Sequence, residues 1–203
     1  MKGAKTMITI SPADVRDRLQ RELAPDTLAH VYRTAELART LAIAHGVDPD
    51  RAEIAALIHD VADAYSDREL LMLADRLEIP VSLTEARVPK LLHGAVGAEI
   101  LRREWGISDE EILDAVRDHI SGSPMMTRLA KVLFVADKLE PERDRHYHGL
   151  DPIRELAMVD LDAAVLKLYA WRMSELVAAG RPVDERLVQA RNVLIERELA
   201  ARR

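Results

Sequence analysis

Helix-start and helix-stop signals recur along this chain at short, regular intervals, and no useful stretch alternates polar and apolar residues with the period of two that a strand needs. Ser11-Pro12-Ala13-Asp14 combines a hydroxyl cap, a first-turn proline and an acid three residues after the cap. A second helix is predicted from about Pro25 to His45, stopped at Gly46, where glycine provides a left-handed cap. Asp48-Pro49 restarts the chain into RAEIAALIHDVAD, and Ser66-Asp67-Arg68-Glu69 opens another helix. Ile79–Val88, bounded by Pro80 and Pro89, reads as a loop. KLLHGAVGAEILRREW then ends at Gly106, Ser108-Asp109-Glu110-Glu111 caps EEILDAVRDHI, and MTRLAKVLFVADKLE stops before Pro141. Two or three helices are expected after Asp151, with a turn at Gly180-Arg181-Pro182. The fold class this implies is all-α, a single helical bundle of roughly eight to ten helices over residues 11–203, preceded by a flexible segment at 1–10.

Composition agrees and narrows the chemistry. The apolar residues, 48% of the chain, are mostly Ala and Leu, with only 8 Gly, as a helical protein requires. There is no Cys, which excludes disulfides, thiolate metal sites, iron–sulfur clusters and a cysteine nucleophile. One Phe, two Trp and four Tyr are too few for a base-stacking platform. A formal charge of −6 argues against a nucleic-acid or anionic-membrane partner. No apolar run is long enough for a membrane span and MKGAKTMITI is not a secretory signal, so a cytoplasmic protein is expected.

Chemistry concentrates in histidines and aspartates on apolar helices. His30 lies within LAHVYRTAELA, His59-Asp60 end IAALIHDVA, His93 follows Leu91-Leu92, and His119 closes EEILDAVRDHI. Asp137 interrupts the apolar face of VLFVADKL, and a buried carboxylate is costly unless paired or bound to a metal. Adjacent His59 and Asp60 point about 100° apart on a helical turn and can lean toward one ion. With His30 and Asp137 they offer two nitrogens and two oxygens, a set that suits iron, manganese or zinc without choosing among them.

His30, the His59-Asp60 pair and Asp137 resemble the HD-domain metal-dependent phosphohydrolase superfamily. The segments RAEIAALIHDVA (51–62), LLHGAVGAEIL (91–101), DEEILDAVRDHISG (109–122) and KVLFVADKLEPER (131–143) fall in order and resemble the YqeK-type HD proteins, the symmetrical bis(5'-nucleosyl)-tetraphosphatases. The resemblance covers roughly residues 25–190. It implies a centre of the iron type held by His30, His59, Asp60 and Asp137. His93 and His119 would line the same pocket, contacting phosphate or holding a second metal with Asp60 as bridge. Arg143 and the Gly180-Arg181-Pro182-Val183 turn would contact the nucleotide. The implied reaction is hydrolysis of diadenosine tetraphosphate to two ADP, with Asp60, His93 and His119 in catalytic roles. The partners expected are a nucleotide substrate and, as a homodimer, a second copy of the chain. A metal lowers the pKa of water at such a site from ~15.7 to ~7, which makes direct attack by water, without a covalent intermediate, the expected route.

The chain departs from that pattern around the substrate. Asp63 stands where the family commonly has Lys, which calls for another cation nearby if it faces a tetraphosphate. Ile120 and Ser123 replace a frequent Thr and Arg, and Lys138 replaces a frequent Tyr. Two other functions are therefore weighed: a nucleotide-binding regulator without turnover, and a binuclear-iron oxygenase. Arg33 and Lys90 are further candidates for facing phosphate. His146 and His148 read as a solvated loop, His45 as a helix-end residue, Arg102-Arg103 and Arg202-Arg203 as solvated charge, and Met125-Met126 as filler beside the pocket. With so few rings, a nucleotide would be held mainly through phosphate and backbone contacts.

Overall fold

The computed structural model describes residues 11–145 and 149–201, so the segment 1–10, His146, His148 and Arg202-Arg203 lie outside the described residues. Eleven α-helices follow one another, with no strand among the described residues. They are α1 (Pro12–Glu22), α2 (Pro25–Ala44), α3 (Pro49–Ile58), α4 (Asp67–Arg76), α5 (Leu83–Arg87), α6 (His93–Glu104), α7 (Glu110–Asp118), α8 (Arg128–Leu139), α9 (Asp151–Ala157), α10 (Leu161–Ala178) and α11 (Glu185–Ala201). Short 3₁₀ turns cover Pro89–Leu92 and Pro141–Arg145.

The all-α reading holds, with one helix more than the expected eight to ten. The extra element is α5, inside the stretch read as a loop. Ser82 and Glu85 form a reciprocal capping box there, which satisfies the first amides of a helix too short to show periodicity. The same device starts α1 with Ser11 and Asp14 and α4 with Ser66 and Glu69. Gly46 takes φ +65° as the left-handed stop of α2. The expected single helix over KLLHGAVGAEILRREW is divided, its first residues forming the 3₁₀ turn before α6.

Two helices are buried along most of their length. In α3 the run Ala52–Ile58 is continuously buried, and in α8 nearly every residue from Leu129 to Leu139 is. Around them α2 packs on α3 and α8, α7 on α3 and α8, and α6 on α7, while α10 packs on α8, α9 and α11. The core cluster runs from Val15 to Leu194. At about 25 cal/mol per Å² of apolar surface, such burial is the main force holding the bundle. Gly94 allows α6 to approach closely, because a Cβ there would stand 2.9 Å from the carbonyl oxygens of Val116 and Arg117 on α7. No described helix is long and apolar enough to cross a membrane.

Peripheral expectations divide. Met126 is buried beside Tyr169, but Met125 is 73% exposed. His45 Nε2 lies 2.6 Å from the Ala157 carbonyl, tying the end of α2 to α9. Arg102 and Arg103 pair with Glu110 and Glu99, so their charge is partnered across the surface as well as solvated.

Candidate metal centre and substrate cavity

The buried helices deliver the imidazoles through their own ends. A helix leaves its last carbonyls without intrahelical donors, and His59, just beyond α3, places Nδ1 2.7 Å from the Ala56 oxygen. His119, just beyond α7, does the same to Val116 at 2.6 Å, and His93, opening α6, to Lys90 at 2.7 Å. A carbonyl only accepts, so each Nδ1 carries a proton, and a ring of this kind in its neutral form presents a lone pair at Nε2. All three Nε2 atoms face one space.

Asp60 lies between two halves of that space. Its Oδ2 is 3.3 Å from His59 Nε2 and 3.6 Å from His30 Nε2, while Asp137 Oδ1 is 3.2 Å from His30 Nε2 and 3.6 Å from His59 Nε2. Its Oδ1 is 3.3 Å from His93 Nε2 and 3.6 Å from His119 Nε2. His30, His59 and Asp60 form one group able to hold an ion, Asp60, His93 and His119 another, and His59, His119 and Asp137 a third that links them. The structure thus brings together all six residues that the sequence singled out.

Two observations test whether these residues fit a metal. His59 Nε2 is fully buried and makes no hydrogen bond, an expensive state for a lone pair unless it faces a cation. His93 and His119 bring Nε2 to within 3.0 Å of Nε2, though both Nδ1 protons are committed elsewhere. A cation or a shared proton relieves both, and an imidazole–carboxylate donor set suits a divalent transition metal.

Protonation is set by the same packing. Burial would depress the His30 pKa, but the Asp137 and Glu140 carboxylates outweigh it and raise it to about 9. Burial also opposes protonation of His59, against the Asp60 and Asp137 carboxylates, which carry its pKa upward. Burial, with His59 and His93 nearby, lowers His119 to about 4, against the opposing pull of Asp60. Asp60 and Asp137 are both desolvated, which alone would raise them. His59, His93 and His119 hold Asp60 well below the usual carboxylate range, and Lys138, His30, His59 and Arg143 do so for Asp137.

Sequence reasoning missed Glu140. Its Oε1 stands 3.2 Å from His30 Nδ1 and its Oε2 accepts from Arg33 Nε at 2.7 Å, giving His30 the carboxylate backing that orients metal-binding imidazoles. Arg33, expected as a phosphate candidate, is therefore engaged by Glu140. The available signal was the acid in LEPER, between Asp137 and Arg143.

A cavity of about 520 Å³ opens over the centre. The metal-centre residues His30, Asp60, His93, His119 and Asp137 form its floor, and Arg143 and Lys138 flank them. Arg143 Nη2 lies 2.5 Å from Asp137 Oδ1 and 3.4 Å from His30 Nε2. Lys138 reaches Asp137 Oδ2 at 3.2 Å and the His119 carbonyl at 2.5 Å, with its ammonium 4.0 Å from the Phe134 ring centroid. Of the late turn, Arg181 and Pro182 line the cavity, whereas Gly180 and Val183 do not, Val183 packing toward the core. Asp63 and Ile120 line it, and Ser123 instead braces the local turn by accepting from the Met125 amide.

The fold and this His/Asp cluster define a class, and the HD domain family matches residues 27–142. The chain belongs to the HD-domain family of metal-dependent phosphohydrolases. It is 38% identical over 165 residues to the symmetrical bis(5'-nucleosyl)-tetraphosphatase of Bacillus subtilis (strain 168), covering 81% of this chain and 87% of that one. The enzyme of the same name from Staphylococcus aureus (strain NCTC 8325 / PS 47) is 34% identical over 141 residues, 69% of this chain and 71% of the relative. A crystal structure of a predicted HD superfamily hydrolase involved in NAD metabolism, from Clostridium acetobutylicum, superposes with a TM-score of 0.87 at 29% identity, covering 93% of this chain and 98% of that one.

Proposed function

We propose that this protein hydrolyses a dinucleoside tetraphosphate, diadenosine tetraphosphate being the reference substrate, to two nucleoside diphosphates. The observation that carries the reading is the convergence of His30, Asp60, His93, His119 and Asp137 on the floor of a cavity flanked by Arg143 and Lys138, with His59 buried directly behind them. Relatives bearing that enzymatic name over most of this chain's length favour it.

His30, His59, Asp60 and Asp137 would hold one divalent ion, iron being the proposed metal with manganese and zinc as alternatives. Asp60 Oδ1, His93 and His119 would hold a second ion or contact phosphate. Such an ion, when bound, supplies Lewis acidity and an acidified water. Asp60, fixed between the halves, orients the attacking water toward the phosphorus on the cavity side. His93, His119 and Arg143 meet the charge that spreads over the phosphoryl oxygens. One P–O bond between the two central phosphates breaks as a water oxygen bonds to phosphorus, and the water's protons leave with the two diphosphates. Arg181 and Pro182 form part of the wall that closes over the nucleotide. Residues 11–203 are taken as one HD domain, acting in the cytoplasm.

The test is a metal and product assay on purified protein. Bound metal is quantified, and ADP release from diadenosine tetraphosphate is followed in wild type, His59→Ala and Asp60→Ala. Metal-dependent ADP release, abolished by either substitution, is the expected result; turnover that survives complete metal removal would falsify the mechanism. Nucleotide binding without product would favour the regulatory alternative, and oxygen consumption by an iron-loaded sample would favour the oxygenase.

A further inference from the structure

Among the described residues α11 contributes nothing to the ion-binding groups, yet its first turn reaches the turn that carries His119. α7 ends at Asp118, and His119 is the first of the turn residues that follow. The ring is held at Nδ1 by the Val116 carbonyl of α7, so the direction of Nε2 depends on where this turn sits. Its position is set from several sides. The Gly122 amide donates to the Asp118 carbonyl at 2.8 Å, closing the turn on itself. Behind it, the Tyr169 hydroxyl of α10 occupies the space that a side chain at Gly122 would need. From α11, Arg186 Nη2 donates to Asp118 Oδ1 at 2.8 Å. Asp118 is buried while the Arg186 side chain is about a third exposed. A buried carboxylate is costly without a charged partner, so the end of α7 follows the guanidinium. Arg186 in turn starts from fixed backbone: its amide donates to Asp184 Oδ1 at 3.0 Å, and the next residue, Leu187, is part of the core.

We propose that Arg186 is a positioning residue for the second half of the centre, acting through Asp118 to hold His119 at the angle from which Nε2 meets Asp60 and His93. The role assigned to His119 rests on the hydrolase reading, whereas the mechanical link does not. The ion pair joins two elements distant in sequence, and His59, carried by α3, has no such connection to α11. Loosening the pair should therefore move one imidazole of the centre and leave the other in place.

The experiment follows exchange of the ring Nδ1–H protons with water by NMR in the zinc-loaded full chain, zinc being diamagnetic. It compares isotope-labelled wild type, Arg186→Gln, Arg186→Lys, Asp118→Asn and the Asp118→Asn/Arg186→Gln double variant, each checked by thermal melting. Arg186→Gln should exchange the His119 proton about tenfold faster while His59 keeps its wild-type rate. Lysine can reproduce a single-point contact and should restore much of the protection. Asp118→Asn should resemble Arg186→Gln, and the double variant should be no worse than either single one. An unchanged His119 rate overturns the proposal, as does an equal acceleration at His59, which marks general loosening. Additive effects in the double variant, or a lysine variant that behaves like glutamine, overturn the ion pair as the cause. In the same Arg186→Gln sample kcat for diadenosine tetraphosphate should fall about tenfold with KM little changed, and an unaltered kcat overturns the link to catalysis. A wild type that releases no ADP counts against the hydrolase reading alone, because the exchange contrast is measured without turnover.

Discussion

Lys90 Nζ stands 2.9 Å from Asp63 Oδ1 at the side of the cavity, and the two side chains lie 27 positions apart in the sequence. The Asp63 carboxylate thus carries its own countercharge, supplied by the 3₁₀ turn that leads into α6. The pair predicts a non-additive response. Lys90→Ala exposes the Asp63 charge to an anionic substrate and should raise KM about fivefold, consistent with roughly 1 kcal/mol for a partly exposed pair. Adding Asp63→Ala should recover much of that loss. Additive losses in a double-mutant cycle would show that the two residues act separately.

Metal uptake should depend on pH through His30. Its pKa in the metal-free protein is about 9, so below that pH the ring carries a proton that must leave before Nε2 can bind a cation. The expected result is proton release on metal binding at pH 7 and an apparent affinity that weakens as pH falls. Calorimetry in buffers of different ionisation enthalpy reads the released proton directly. His119, with a pKa of about 4, is already neutral at pH 7 and should add no proton.

Glu140 links the centre to acid stability. Burial would raise its carboxyl, but His30, Arg33 and the Glu142 amide lower it to about 2, against 4.5 for an ordinary glutamate. A lowered folded-state pKa contributes stability that is fully present above the ordinary value and is lost as pH falls toward 2. Glu140→Gln should therefore reduce stability at pH 7 and flatten the acid limb of a melting-temperature profile between pH 4.5 and 2. Loss of the carboxylate behind His30 should also weaken metal affinity or activity by about 10- to 100-fold. A variant with wild-type metal content and an unchanged acid limb contradicts this account.

Gly94 controls the spacing of the second half of the centre. An alanine Cβ would meet the Val116 carbonyl at 2.9 Å, and that carbonyl receives the His119 Nδ1–H. Gly94→Ala should cost about 1–3 kcal/mol through overpacking. It should also lower metal binding at Asp60, His93 and His119 more than at His30. Denaturant melts and metal stoichiometry measure the two effects, and a stability loss with unaltered stoichiometry separates the packing role from the positioning one.

The six centre residues were legible because they are polar groups placed on apolar helical stretches and ordered as in a known family. Asp137 in VLFVADKL is conspicuous without any coordinates. Glu140 was not, since its meaning comes from His30, 110 positions away. Lys90 was recognisable only as a nearby cation, and its pairing with Asp63 depends on how the turn at Pro89–Leu92 folds back. Helix α5 escaped because five residues give no period to detect, and only its capping box marks it. Trp171 lies in an apolar helix, where a ring is more often core, and its place on the cavity wall follows from the packing of α10 on α8 and α11.

Asp118, the last residue of α7, accepts from Arg186 Nη2 at 2.8 Å, which fastens α11 to the turn that delivers His119. The family match ends at residue 142, so Arg186, Trp171, Arg172, Arg181 and Asp184 all lie beyond it. The part of the chain that matches the family and the part that follows it thus line one cavity and are joined by a salt bridge, so a substitution at Arg186 reaches the turn that carries His119 from outside the matched region.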